Sequence, residues 1–291
     1  MDIKILRYFL ALTRQESITA TAEYLHLTQP TLSRQLSELE TELGCTLFIR
    51  GSRKITLTED GIRLRKRAEE ILELVNKTER EFLTTAETIS GDIYIGCGET
   101  YAMSRLSQVI KIVQIKFPLI RVHIFSGDAD EVTERIDDGL LDFGLLIGAD
   151  NRNKYESLLL PDKDTWGVLM QKHSHLSSKK TIQAEDLWSL PLITSKQREV
   201  DSRLTRWLKR DISKLNVVAT YNLLYNASLM VEQGIGYALC LDKLINTSSS
   251  NICFKPLAPI LTVDNTLVWK RYQVFSKAAE QFLIHCKAAF E

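Results

Sequence analysis

Apolar residues recur at helical spacing along the first third of the chain. Leu6, Phe9 and Leu10 predict a scaffold helix over 3–13, and Ala20, Ala22 and Leu25 give a second, shorter helix a small apolar face. Leu27 and Thr28 interrupt the pattern. Leu32, Leu36, Leu39 and Leu43 then form the expected buried stripe of a third helix, leaving Gln29, Thr31, Ser33, Arg34 and Ser37 outside. Thr19 and Thr28 are placed to cap the second and third helices, since a threonine hydroxyl accepts an orphan backbone N–H. Pro30 is harmless in a first turn, and Gly44 suits a left-handed helix end. Leu47-Phe48-Ile49 and Ile55-Thr56-Leu57 flank Arg50-Gly51-Ser52-Arg53-Lys54, which reads as a short β-hairpin with a basic tip. Thr58, followed by Glu59 and Asp60, starts a longer helix. Along it Leu64, Ala68, Ile71, Val75, Thr78 and Phe82 alternate at spacings of four and three, a heptad seam flanked by charges. Such a seam wants a partner helix; the alternative is a single helix laid on its own domain.

After a hinge at 84–91 the pattern changes to short apolar strands alternating with helices. Strands are expected at 93–95, 121–125 and 143–147, with helices at 101–116 and 132–138. Similar units follow at 190–194, 200–211, 217–220, 223–233 and 236–241. That alternation implies a parallel sheet covered on both faces. The segments 149–170 and 263–272 read as two crossings between lobes, and a last helix over 277–290 returns to the first lobe. The expected division is 1–58, a linker at 59–90, and 91–291, with lobe I at about 91–160 and 268–291 and lobe II at about 161–267.

The 291 residues carry equal numbers of acids and bases, so bulk charge gives no basic signature; any attraction to a polyanion must come from local placement. Cys45, Cys97, Cys240, Cys253 and Cys286 are scattered without metal-ligand spacing, and reduced thiols are expected. No secretory signal pattern and no membrane-length apolar run are visible, which predicts a cytoplasmic protein with no membrane partner. His26, His123, His173, His175 and His285 lack paired ligands, and neither a nucleophile elbow nor a phosphate loop occurs. No catalytic residues, no metal and no cofactor are therefore expected, and the chain does not read as an enzyme.

The polar start of the third helix offers Thr28, Gln29, Pro30, Thr31, Ser33 and Arg34, and the hairpin adds Arg50, Arg53 and Lys54. Amide, hydroxyl and guanidinium groups on the second of two short helices suit base edges and phosphates in a major groove, and a basic wing beside them suits phosphate. The competing reading is a three-helix bundle with a merely solvated polar face; the basic wing tips the balance to double-stranded DNA. Ser17, Leu25, Leu27-Thr28-Gln29-Pro30, Ser33-Arg34-Gln35, Leu39-Glu40, Leu43-Gly44, Leu47-Phe48, Arg50, Leu57-Thr58 and Gly61 together resemble the winged helix-turn-helix of LysR-type transcriptional regulators. Thr21, Ile49 and Asp60 depart from the family's usual residues without removing an expected DNA contact.

That resemblance covers the whole chain, more weakly beyond Gly91, where Gly234, Gly236 and the closing helix carry it and Asp242 replaces a usual proline. It implies an α+β multidomain protein: an N-terminal winged helix-turn-helix, a long linker helix and a C-terminal two-lobed α/β effector domain resembling periplasmic solute-binding proteins. It also implies pairing of the linker helix between subunits, a homodimer or homotetramer, action at promoters with RNA polymerase as a further partner, and a small-molecule effector. Peroxide-sensing members use a cysteine pair where 191–214 here holds none, which argues against that mode.

In an open α/β sheet, ligands bind beyond the carboxyl ends of strands, at helix N-termini. Gly98 and Thr100 in Gly96-Cys97-Gly98-Glu99-Thr100 are the first candidates, and Thr100 falls where the family commonly places an effector-binding hydroxyl. By spacing alone the same loop reads equally well as a helix cap. Ser195 and Arg198 form the facing candidate, with Thr220 and Asn222 a third. The expected effector is a carboxylate held between Thr100 and Ser195 or Thr220, although Glu99 in the pocket would repel it. A second class of reading, a solute receptor or an enzyme on the α/β module, lacks a transport signal and a catalytic set.

Overall fold

The computed structural model describes residues 1–51, 54–82, 89–148, 154–196, 198–211 and 214–291, with backbone alone at 81–82 and 198–202. Arg53 lies outside the described residues, as do the side chains of Phe82 and Arg198. The chain divides into two compact units, Met1–Leu83 and Thr84–Glu291.

In the first unit, α1 (Ile3–Gln15), α2 (Ile18–Tyr24) and α3 (Gln29–Leu43) enclose a core of Phe9, Leu12, Leu32, Leu36, Leu39 and Leu47. Two expected caps are corrected. Ser17, not Thr19, caps α2, its hydroxyl accepting from the Ala20 N–H at 3.4 Å. Thr28 precedes α3 without a side-chain cap, its hydroxyl lying 2.8 Å from that of Thr31. The buried stripe stops at Leu39: Leu43 is 39% exposed because the helix runs past the core before Gly44 ends it at φ 67°. The hairpin forms as expected from β1 (Phe48–Arg50) and β2 (Ile55–Leu57), antiparallel with Phe48 opposite Leu57. Thr58 caps α4 (Glu59–Phe82), its hydroxyl accepting from the Gly61 N–H at 3.0 Å.

The seam along α4 is divided. Leu64, Ala68 and Ile71 pack on Leu6 and Leu10 of α1 in the same chain. Beyond them Val75 is half-buried and Thr78 exposed, its hydroxyl donating to the Leu74 carbonyl. The first half of the seam therefore has an intramolecular partner, and among its described residues Val75 and Thr78 remain accessible to a second helix.

The second unit is built on one nine-stranded sheet. β3 (Gly91–Cys97), β4 (Ile120–Ser126) and β5 (Phe143–Ile147) run parallel, separated by α5 (Met103–Lys116) and α6 (Ala129–Asp137). The strand β6 (Tyr155–Gln171) then crosses to a second parallel set, β7 (Leu192–Ser195), β8 (Val217–Tyr221) and β9 (Tyr237–Leu241), with α7 (Arg198–Leu208) and α8 (Leu224–Glu232) between them. A strand missing from the sequence reading, β10 (Ile252–Pro256), pairs with the far half of β6. The return crossing is β11 (Thr262–Lys270), antiparallel to both β5 and the near half of β6. Helix α9 (Lys277–Phe290) closes the first lobe, where Phe282 and Cys286 join Ile93, Leu106, Phe143 and Leu267 in one core. A separate core of Val168, Met170, Leu192, Leu204 and Leu239 defines the second lobe. Among the described residues, β6 and β11 supply the two crossings expected at 149–170 and 263–272, with 149–153 lying outside the described residues.

Candidate functional site

Two places gather the predicted residues. In the first unit, Thr28, Gln29, Pro30 and Arg34 stand exposed at the start of α3, with Thr31 and Ser33 partly covered. The leucine stripe buries the opposite side of the helix, so its polar side must face solvent. Arg50 at the end of β1 donates to the Ser33 hydroxyl at 3.0 Å, which fixes the wing beside α3. Gly51 closes the hairpin by donating to the Lys54 carbonyl at 3.0 Å. Lys54 pairs with Glu16 at 3.6 Å and Arg34 with Glu38 at 3.7 Å, all four side chains more than half exposed. Such exposed pairs contribute little and leave both cations available to a phosphate. The face therefore combines hydrogen-bonding groups and cations on a helix whose other side is buried in the core.

In the second unit, the cleft between lobes collects Glu99, Ile147, Trp166, Ser195, Tyr221, Asn222 and Leu224 around about 30 Å³ of free space. Ser195, at the end of β7, is 9% exposed, and Asn222 follows the end of β8. Thr220 does not join them. Strand alternation turns it outward to an exposed position and brings Tyr221 in instead. The Tyr221 hydroxyl donates to the Leu239 carbonyl at 2.7 Å, and burial pushes its pKa well above the ordinary tyrosine value.

Thr100 sits at the cleft's base, 5% exposed, and faces the protein. Its hydroxyl donates to the Asp164 carboxyl on β6, lies 3.1 Å from the Asn265 amide oxygen on β11, and accepts from the Ala102 N–H at 3.0 Å. The Asn265 amide donates to the same Asp164 oxygen at 3.2 Å. Burial raises the Asp164 pKa, against the lowering effect of its hydrogen bonds to Thr100 and Asn265. These two partners were not read from the sequence, where they lie in the polar runs Asp162-Lys163-Asp164-Thr165 and Asp264-Asn265-Thr266 with nothing to single them out.

Glu99 does face in, and it takes the place imagined for an anion. Its carboxylate accepts from the backbone N–H of Leu224, the first residue of α8, a helix whose preceding Leu223 supplies no side-chain cap. The loop glycines serve packing rather than access: a Cβ at Gly96 would lie 2.6 Å from Leu141 and 2.8 Å from Val132, and one at Gly98 3.0 Å from Ile147. A second recess of about 480 Å³ opens beside Tyr101, Arg105, Asp162, Asp164, Asp242 and Lys243. Glu99 borders one space and Tyr101 the other, so the 99–101 loop stands between them. The buried thiols of Cys97 and Cys286 are raised by burial, the latter to about 12, and a thiol kept protonated reacts poorly with oxidants.

Residues 3–62 match the model of the bacterial regulatory helix-turn-helix proteins of the lysR family, and residues 86–291 match the LysR substrate binding domain. The HTH-type transcriptional regulator IlvY of Escherichia coli (strain K12) is 28% identical over 257 residues, covering 85% of this chain and 84% of that protein. The HTH-type transcriptional regulator BsdA of Bacillus subtilis (strain 168) is 31% identical over 194 residues, 66% of either chain. Among solved structures, full-length CbnR complexed with its target DNA superposes with a TM-score of 0.79 at 18% identity, over 99% of this chain and 100% of that one, a likeness of fold. With both of its units matched by the family's two domains, the chain belongs to the LysR-type transcriptional regulators.

Proposed function

We propose that the chain reads promoter DNA through α3 and the wing as a homodimer or homotetramer, and that a small molecule bound between its lobes sets its activity. The observation that carries the DNA part is the exposed polar start of α3 held beside the wing by the Arg50–Ser33 hydrogen bond. Arg34 is assigned to a base edge or an adjacent phosphate, with Thr28, Gln29, Pro30, Thr31 and Ser33 lining the groove. Arg50, Arg53 and Lys54 are assigned to the DNA backbone. The turns of α4 beyond Ile71 supply the subunit contact, and RNA polymerase is the further partner at the promoter. No reaction and no cofactor belong to this reading, which places the protein in the cytoplasm with its DNA.

The effector is assigned to the cleft of Ser195, Tyr221 and Asn222, with a carboxylate as the ligand class. The present 30 Å³ cannot admit an organic molecule, since ligand sites measure about 300–1,000 Å³. Binding therefore requires the lobes to part. Footprinting of the full-length protein on the DNA upstream of its own gene tests the first part. A protected stretch that Arg34→Ala or Ser33→Ala narrows or abolishes is expected; unchanged protection by both variants removes α3 from the interface. Calorimetric titration of cellular carboxylates tests the second, with Ser195→Val and Asn222→Ala expected to weaken any hit.

A further inference from the structure

We propose that Glu99, Thr100 and Tyr101 form a latch that holds the two lobes closed, and that its release joins the small cleft at Ser195 to the larger recess beside Tyr101, so that one effector can reach both. The proposal rests on the reading of the cleft as the effector site. Three consecutive residues of the first lobe engage different elements, Glu99 and Tyr101 in the second lobe and Thr100 on the two crossing strands. Glu99 reaches the N–H of Leu224 on α8. The Thr100 hydroxyl is anchored on Asp164 and Asn265, one from each crossing strand. Tyr101 places its ring under Lys243, whose Nζ is 5.0 Å from the ring centroid. Lys243 follows β9 in the second lobe and holds a left-handed φ of 64°, uncommon for a residue other than glycine.

The three contacts differ in how easily they break. The Thr100 cluster is buried, and leaving its groups unpaired would be costly, so it acts as the fixed pivot. Tyr101 is 47% exposed and Glu99 partly so, and water can replace both of their contacts. These are the releasable arms. Glu99 also fixes the chemistry of release. A carboxylate already satisfies the uncapped start of α8, where unpaired N–H groups and the helix dipole favour negative charge. A free carboxylate is the ligand class that competes for the same N–H. The protein thus carries a tethered occupant, which a carboxylate effector must displace before it gains the space beside Tyr101, Arg105 and Lys243. A latch closed nine-tenths of the time would lower the apparent affinity for such a ligand about tenfold.

Hydrogen exchange of the full-length protein, followed by mass spectrometry across 222–230, tests the proposal with acetate and methylammonium as probes. Glu99→Ala is expected to raise exchange at the first turn of α8 about tenfold or more, and to let acetate protect that turn at about one-tenth the concentration wild type requires. Glu99→Gln, which keeps an acceptor but no charge, should fall between the two and shows that the effect is not a failure to fold. Unchanged exchange in Glu99→Ala overturns the latch. So does protection of wild type by methylammonium that disappears in Glu99→Ala, because Glu99 would then be a receptor for cations. If exchange rises in Glu99→Ala but acetate protects neither protein, the latch stands and the carboxylate assignment of the effector fails.

Discussion

A methyl group at position 61 would lie 1.9 Å from the carbonyl oxygen of Leu47, so the entry of α4 can pass the wing strand only as glycine. Gly61→Ala should destabilise the first unit by about 3 kcal/mol, the upper range for overpacking a filled site, read as a lower midpoint in its thermal unfolding. At Asp164 the effect depends on pH. Its carboxyl titrates above the ordinary carboxylate range because burial opposes the charged form, so the native state binds this proton more tightly than the unfolded chain does. Stability from that proton is complete at low pH and is lost as pH rises through the raised native value. Asp164→Asn keeps an oxygen for Thr100 and Asn265 but carries no charge. It should melt higher than wild type at neutral pH, with the difference shrinking toward about pH 4; a constant difference would mean that titration is not the cause. Thr100 was expected to touch the effector, whereas its hydroxyl is engaged by Asp164 and Asn265. Asp164 lies 64 positions away and Asn265 165 away, and no local pattern registers such a contact.

At the scale of elements, α3 and α4 were read from periodicity almost to the residue, since a stripe of leucines fixes both the helix and the side it buries. What periodicity could not say is which neighbour covers a seam. Leu64, Ala68 and Ile71 obey the heptad as well as Val75 does, yet α1 of the same chain covers them. The residue that tests the subunit contact is consequently Val75 rather than Ile71, whose replacement would also damage the first unit. Val75→Asp should weaken dimerisation by about 3 kcal/mol, roughly a hundredfold, by placing an unpaired carboxylate between helices. Sedimentation across a concentration series would detect it, and an intact dimer would move the interface off α4. On α3, Arg34→Ala should cost about 1–3 kcal/mol of operator affinity and blur discrimination at one base pair, whereas loss without blurring would assign Arg34 to phosphate. Strand β10 escaped notice because Ile252 and Phe254 give only a short alternation that ends at Pro256; its pairing with β6 makes it a strand.

For the whole molecule, two lobes and two crossings followed from alternating strands and helices, because each βαβ unit must bury a sheet face on both sides. The closed state of the cleft did not follow, since it depends on one carboxylate meeting one backbone N–H between elements distant in sequence. The first lobe also has a consequence for synthesis. Its sheet needs β11 beside β5, and its core needs Phe282 and Cys286 from α9, more than 100 residues after β5 has been made. On the ribosome the DNA-reading unit can fold as soon as α4 emerges, whereas β3, β4 and β5 must wait with one apolar side uncovered while the second lobe is translated through their middle. At about 5–20 residues per second that wait lasts about 6–30 seconds, long enough to make this half-built sheet a segment in need of a chaperone.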